Sequence, residues 1–150
     1  MKMFETSNEI AELCMTKWED TGLDVIINLK LISTPKAKTI LKVQRANATT
    51  HFLTQKDIIV IVYEDALDRL TDEHKAILIE GILSNVSYDS EKDKMLVETD
   101  IAKEIFRMRR KYPNYVDILE EAYIVINQIE DEEQQRKEAE RLAKKDKKNK

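Results

Sequence analysis

The sequence predicts an α+β fold: a small sheet of three to four strands packed with helices, and a long charged C-terminal helix. The first observation is that 150 residues, 42% of them hydrophobic, suit one domain with one core. The second is a β-branched run at residues 58–63, which is apolar on both faces and typical of a central strand. The third is that apolar residues elsewhere recur at helical spacing and become rare after Ile129. We therefore expect one domain over residues 1–129 and a charged helical tail over residues 130–150.

The first third of the chain is predicted to form one helix and two strands. The helix would start with a capping box at Thr6 and end at Gly22, which can adopt the left-handed conformation. Its apolar face comprises Ile10, Leu13, Cys14 and Trp18. The pattern then predicts a strand over 24–33, buried at its start, a second strand over 38–45, and a loop over 46–50.

Helices dominate the rest of the predicted order. After the central strand we expect a helix capped by Thr71 and ending near Val86, a polar turn over 88–94, a short strand over 95–97, a helix from Asp100 to Tyr112 and a last helix from Tyr115. In the helix from Asp100, the residues available for packing are Ile101, Ile105, Phe106 and Met108. The tail after Ile129 is too polar to bury much, so it should project as a solvated helix or fray. The predicted order is α-β-β-β-α-(β)-α-α.

Composition excludes several classes of protein. The single cysteine, Cys14, excludes an internal disulfide framework, and with only two histidines a His/Cys-rich zinc site is not expected. No run of 18 apolar residues is present, so we expect no membrane span. The N-terminus lacks the apolar stretch of a signal peptide, which predicts a cytoplasmic protein. No cofactor or metal is expected. The net charge of −4 argues against wholesale nucleic-acid binding, although the last seven residues carry +4.

The order of the elements and the local sequence in the middle of the chain resemble those of a family of phage metallopeptidases of the zincin-like type. The resemblance covers about residues 4–127. It rests on a basic stretch before Phe52-Leu53-Thr54, the β run after Asp57, the helix start at residues 70–75 and the acidic helix start at Asp100. It implies a zincin-like domain and a phage origin, and so a location in the host cytoplasm or the virion.

The chemistry of that family is missing from this chain. Zincins carry H-E-x-x-H on the helix after the β run, where the two histidines bind zinc and the glutamate activates water. Aligned on the helix start, Gly81 replaces the first histidine, Ile82 the glutamate and Asn85 the second histidine. Thr99 stands where a further histidine often precedes the following aspartate. The resemblance therefore implies a peptidase fold without peptidase activity, with no catalytic residues.

Two features remain open from the sequence alone. Gly81 costs a helix about 1 kcal/mol relative to alanine. It marks either close backbone packing or the filling-in of a lost site. A group of basic residues could contact nucleic acid or an acidic partner, or could be ordinary solvated charges and helix-end residues: Lys36, Lys38, Lys42, Arg45, Arg107, Arg109 and Arg110.

Three functions are compatible with these observations. The favoured one is a catalytically inactive, zincin-like phage protein that binds a protein partner, such as a virion component, a phage enzyme or a host factor. The alternative is an accessory protein that contacts nucleic acid through the basic residues, with the Lys-rich tail adding attraction. The least favoured is an active metallopeptidase. The oligomeric state is left open.

Overall fold

A computed structural model of the chain describes residues 2–149 and has an α+β architecture, as predicted. Its strands are β1 (Leu29–Ser33), β2 (Leu41–Arg45), β3 (Ile58–Val62), β4 (Val86–Asp89) and β5 (Lys94–Val97). Its helices are α1 (Asn8–Asp20), α2 (Ala48–Thr54), α3 (Glu64–Leu67), α4 (Asp72–Leu83), α5 (Ile101–Arg109) and α6 (Tyr115–Lys148). None of the helices in this part of the chain is long and apolar enough to cross a membrane.

The main sheet has three strands in the order β1-β3-β2. The central strand β3 runs parallel to β1 and antiparallel to β2. Ile58, Val60 and Val62 of β3 are almost fully buried, which confirms the prediction of a central strand. A separate antiparallel hairpin of β4 and β5 follows α4.

The first helix begins one residue later than predicted. Ser7 is its N-cap, and no side chain caps the helix, so the capping box at Thr6 is wrong. The Thr6 hydroxyl instead accepts a hydrogen bond of 3.0 Å from Ser33 of β1, and the Ser7 amide donates to Glu64. These tertiary contacts fix the chain before α1 and compete with the local cap. Gly22 follows the helix with φ of 75°, as expected for a residue that ends it.

The predicted strand over 24–33 is wrong in its first half. Residues 23–25 form a 3₁₀ turn, and the Val25 and Ile26 side chains are 83% and 52% exposed. The left-handed Gly22 redirects the chain, and the Leu23 amide donates to the Thr21 hydroxyl, so turn geometry overrides the β propensity of this run. The second strand likewise begins at Leu41 and not at residue 38.

The predicted loop over 46–50 is also wrong, because α2 begins at Ala48. Asn47 caps it by accepting a hydrogen bond of 2.7 Å from the Thr50 amide, which the sequence analysis missed. The short helix α3 was not predicted. Helix α4 ends at Leu83, before the predicted end near Val86. The predicted polar turn over 88–94 is shorter than expected, because β4 starts at Val86 and pairs with β5 on both sides of the turn.

The core lies between the sheet and the helices. Thr71 caps α4 through its side chain, as predicted, and Trp18 of α1 is fully buried. α5 ends at Arg109, before the predicted Tyr112. Its Ile101 and Phe106 side chains are exposed, so the prediction that both pack is wrong, and the buried residues of α5 are Glu104 and Met108.

The last helix has two parts. Residues between Tyr115 and Ile126 pack into the core, whereas every described residue after Glu133 is exposed. Where α6 passes from buried to exposed residues, Arg69 donates two hydrogen bonds of 3.1 and 2.7 Å to Glu132, and Lys36 pairs with Glu133 at 3.3 Å. The tail is therefore a continuous solvated helix, one of the two outcomes expected from its composition.

Candidate functional site

A groove with a volume of about 660 Å³ runs beside β2. Three of the four degenerate zinc-site positions line it, namely Ile82, Asn85 and Thr99. Three residues of the predicted basic group line it as well: Lys36, Lys38 and Lys42. The structure therefore brings together two sets of residues that the sequence predicted separately.

One wall of the groove is the free edge of β2. Tyr63 donates to the Ile40 carbonyl at 2.8 Å and Ala46 donates to the Asp57 carbonyl at 2.9 Å. In an antiparallel pair such bonded positions alternate with non-bonded ones. By this register Leu41 and Val43 point their backbone N–H and C=O groups away from β3. Both residues line the groove, and across residues 2–149 no other strand pairs with β2.

The basic side chains on this wall differ in their contacts. Lys36 is paired with Glu133, whereas Lys38 and Lys42 have no ion-pair partner in the described part of the chain. The opposite wall carries Glu98 and Asp100.

The two carboxylates of that wall are engaged locally. The Asp100 side chain caps α5 by accepting from the Ala102 amide at 2.9 Å. Glu98 accepts from the Asp100 amide at 2.9 Å, and this bond, with the charge of Lys103, holds the pKa of Glu98 below its usual value. Lys38 and Lys42 are thus the charges of the groove that are free to meet a ligand.

At one end the groove continues into an apolar pocket of about 110 Å³. Five residues line both spaces, which shows that they adjoin: Thr39, Leu41, Ile82, Ile101 and Glu104. The rest of the pocket wall is largely apolar and comes from α4, α6 and the chain before β2: Ile40, Leu78, Tyr115, Leu119, Ala122, Tyr123 and Ile126. A pocket of this kind can receive an apolar side chain.

A buried hydrogen-bond network forms the base of the groove. Glu104, which is 4% exposed, accepts from Asn85 Nδ2 at 2.6 Å and from the Tyr115 hydroxyl at 2.7 Å. Arg107 donates to Asn85 Oδ1 at 2.7 Å and to the Ser84 hydroxyl at 3.2 Å. Burial, followed by the hydrogen bond to Glu104, raises the pKa of Tyr115 above its usual value, so the phenol stays a donor. The network holds α4, α5 and α6 in fixed relation.

The zinc ion that the family resemblance implies does not fit these residues. Gly81 has no ligand atom, and a Cβ there would overlap the Tyr115 ring, with Cζ at 2.8 Å. Asn85 already uses both ends of its amide for Glu104 and Arg107. Ile82 and Thr99 offer neither a carboxylate nor an imidazole. Across residues 2–149 there is no group of three or more His, Cys, Asp or Glu side chains that could hold a metal.

The other basic candidates lie apart from the lysines of the groove. Arg45 donates to the Met95 carbonyl of β5, and the exposed Arg107 donates to Asn85 of the buried network. Arg109 ends α5 and Arg110 follows it, so both lie at the opposite end of that helix from Asp100. Arg110 stacks over the Phe106 ring at 4.7 Å.

Glu104 was missed by sequence reasoning, although a signal existed. It lies four residues before Met108, on the face of α5 that the structure buries. A carboxylate on a buried helix face requires partners, since an unpaired charge there would be costly. Its partners Asn85 and Tyr115 are distant in the chain, so the sequence could indicate the need but not the solution.

Comparisons with protein-family models, with curated proteins and with solved structures found no match for this chain. The resemblance to zincin-like phage proteins therefore stays a prediction.

Proposed function

We propose that the protein is a non-catalytic binding protein, and that it holds an extended acidic segment of a partner protein in the groove beside β2. The observation that carries this proposal is the free edge of β2, where Leu41 and Val43 present backbone groups to the groove. Strand addition to such an edge is a common mode of peptide recognition, in which main-chain hydrogen bonds provide affinity. We place the partner among phage or host proteins, in line with the family resemblance.

Charge sets the chemistry of the segment. Lys38 and Lys42 lie beside the free edge without ion-pair partners among residues 2–149. Side chains of an added strand alternate between two faces, so every second residue can reach the lysine side. Aspartate or glutamate at those positions would compensate the lysine charges, while Glu98 and Asp100 on the other wall would repel acids placed there.

The apolar pocket supplies an anchor for the same segment. Its volume of about 110 Å³ suits one side chain of the size of leucine or smaller, and it adjoins the groove. A few well-packed apolar anchors carry most of the binding energy in protein interfaces. We therefore expect one apolar residue at one end of the acidic segment.

The residues at the degenerate zinc-site positions support a binding role over catalysis. Ile82 cannot take a proton, Gly81 cannot bind a metal, and Asn85 is held by the buried network. The groove retains a shape in which a polypeptide can lie, while its base is occupied by structural hydrogen bonds.

The test is a selection of random 12-residue peptides on the full-length protein. We expect the bound peptides to be enriched in Asp and Glu at alternate positions with one apolar residue. Val43→Pro removes one amide from the outer edge, where proline is tolerated, and should weaken binding of a selected peptide at least tenfold. Lys92→Gln, in the turn of the β4–β5 hairpin, is the matched control and should bind as the wild type does.

Amide hydrogen exchange provides a second measurement without substitution. Bound peptide should slow exchange of the Leu41 and Val43 amides, which face the groove. Equal binding by the wild type and Val43→Pro, together with unchanged exchange at both amides, would show that the segment does not add to β2. Enrichment of basic peptides would contradict the proposal that the bound segment is acidic.

A further inference from the structure

The exposed end of α6 has a segregated charge pattern that the groove does not use. Residues 134–148 extend beyond the last contacts of α6 with the domain and span about 22 Å at 1.5 Å per residue. Residues 134–149 hold seven basic and three acidic side chains, a net charge of +4, in a chain whose total is −4. This end of α6 is therefore a positively charged projecting arm.

The basic residues share one side of the helix. At 100° per residue, all seven fall within one half of the circumference: Arg136, Lys137, Arg141, Lys144, Lys145, Lys147 and Lys148. Glu140 is the one acid among them. The other half holds Glu138, Ala139, Leu142, Ala143 and Asp146. No basic residue of this segment falls in the other half.

Six of these seven basic side chains are free to meet a ligand. Lys137 pairs with Glu133 at 3.2 Å, and the other six form no ion pair within the part of the chain that the structure describes. The face lies beyond Glu133, where α6 leaves the domain, and the arm is longer than two Debye lengths of about 8 Å at physiological salt. The acidic body of the protein is therefore screened from a ligand held near the end of the arm.

We propose that this face of α6 binds the phosphate backbone of double-stranded nucleic acid without sequence preference. Residues 134–149 contain no aromatic side chain, so stacking on the bases of a single strand is not available. The opposite half carries one large apolar residue, Leu142, which is too little for a helix that lies in a membrane surface. Phosphate contact by lysine and arginine needs neither feature. This inference does not depend on the proposed peptide groove.

The expected binding is weak and depends steeply on salt. Nonspecific complexes have Kd values of about 10⁻⁴ to 10⁻⁶ M at physiological salt, and log K falls with log salt by about 0.9 per phosphate contact. Four to six contacts from this face would give a slope of about −4 to −5. Fluorescence anisotropy of a labelled mixed-sequence duplex, titrated with the full chain at several salt concentrations, measures both values.

Two variants distinguish the effect of the basic face on binding from the effect of the net charge. The triple variant Lys144→Gln, Lys145→Gln, Lys148→Gln should lose at least tenfold in affinity at low salt and flatten the slope by about 2 to 3. A rearranged variant moves two lysines to the opposite half through Leu142→Lys, Ala143→Lys, Lys144→Ala and Lys145→Leu. Its net charge is unchanged, and we expect at least threefold weaker binding. Because this part of α6 is exposed throughout residues 134–149, both variants should keep the unfolding midpoint of the wild type.

Several results would overturn the proposal. They are wild-type affinity in the triple variant, equal affinity in the rearranged variant, and loss of duplex binding through Lys38→Gln and Lys42→Gln with α6 intact. Tighter binding to vesicles of phosphatidylserine and phosphatidylcholine than to the duplex would assign the face to a membrane surface instead.

Discussion

The side chain of Tyr115 occupies the space that a Cβ atom on Gly81 would need. α6 therefore approaches α4 closely at this point, and its Tyr115 hydroxyl reaches Glu104. The sequence left two readings of Gly81 open, close packing or a lost ligand position. The contact with Tyr115 explains the glycine by packing, whatever the ancestry of the position.

We expect Gly81→Ala to destabilise the fold. Alanine favours the helix by about 1 kcal/mol. However, overpacking a well-filled site costs about 1–3 kcal/mol, and here the overlap involves a ring that the buried network holds in place. With the upper half of that cost range, the net loss in the free energy of unfolding should be about 1–2 kcal/mol, measured by urea denaturation. Unchanged or increased stability would show that Tyr115 can move aside at little cost.

We expect Tyr115→Phe to cost about 1–3 kcal/mol, because Glu104 Oε2 would lose its buried donor. Tyr123→Phe is the matched control, since the Tyr123 side chain is 59% exposed, and it should change the free energy of unfolding by less than about 0.5 kcal/mol. Similar unfolding midpoints for the two variants in urea would contradict the structural role of the network.

Local sequence signals predicted those elements whose causes are local. The β-branched run became β3, Thr71 caps α4, and the polar tail became a solvated helix. Some errors were local, because the turn that follows Gly22 and the cap at Asn47 were missed. Others occurred where distant residues decide the structure: Thr6 bonds to Ser33 and does not cap α1.

The candidate site was predictable in part. Ile82, Asn85 and Thr99 were identified from the family resemblance, and Lys36, Lys38 and Lys42 from their charge. Their common groove depends on how β2 lies against α4 and α5, which no local pattern encodes. The free edge of β2 could not be recognised either, because strand order is a property of the whole sheet.

We expect Glu80 to contribute stability that acid removes. Burial disfavours its charged form, but the hydrogen bond from Lys111, the nearby Tyr112 hydroxyl, and the charges of Lys111 and Lys17 outweigh this and lower the pKa of Glu80. The Lys111–Glu80 contact is 2.7 Å. Since the pKa is lower in the folded state, the contribution is present above the unfolded pKa of about 4.3 and is lost as the pH falls through the folded value.

The test compares Lys111→Met with Lys103→Met in urea denaturation at several pH values. Lys111→Met should reduce stability at pH 7 and bring it closer to the wild type at low pH, where Glu80 is protonated in both proteins. Lys103 is as exposed as Lys111 but lies 3.6 Å from its partner Glu98, compared with 2.7 Å for Lys111 and Glu80, so its replacement should have the smaller effect. A loss from Lys111→Met that is constant with pH would show that packing, and not charge, connects residues 80 and 111.

The Cys14 thiol should be unreactive in the folded protein. Burial, with a smaller contribution from the charge of Glu64, raises the pKa of Cys14 to about 12, and only the thiolate attacks an alkylating reagent. At pH 8 iodoacetamide should modify the native chain only through opening of the fold, and should modify it rapidly in concentrated urea.

Because the raised pKa of Cys14 favours the neutral thiol, its contribution to stability is complete below the unfolded pKa of about 8.5 and declines as the pH rises towards 12. Cys14→Ala, which has no thiol, should lack this decline, although the cavity lowers its stability at all pH values. Alkylation of the native protein at the rate of a free cysteine would contradict the buried position of Cys14 on α1.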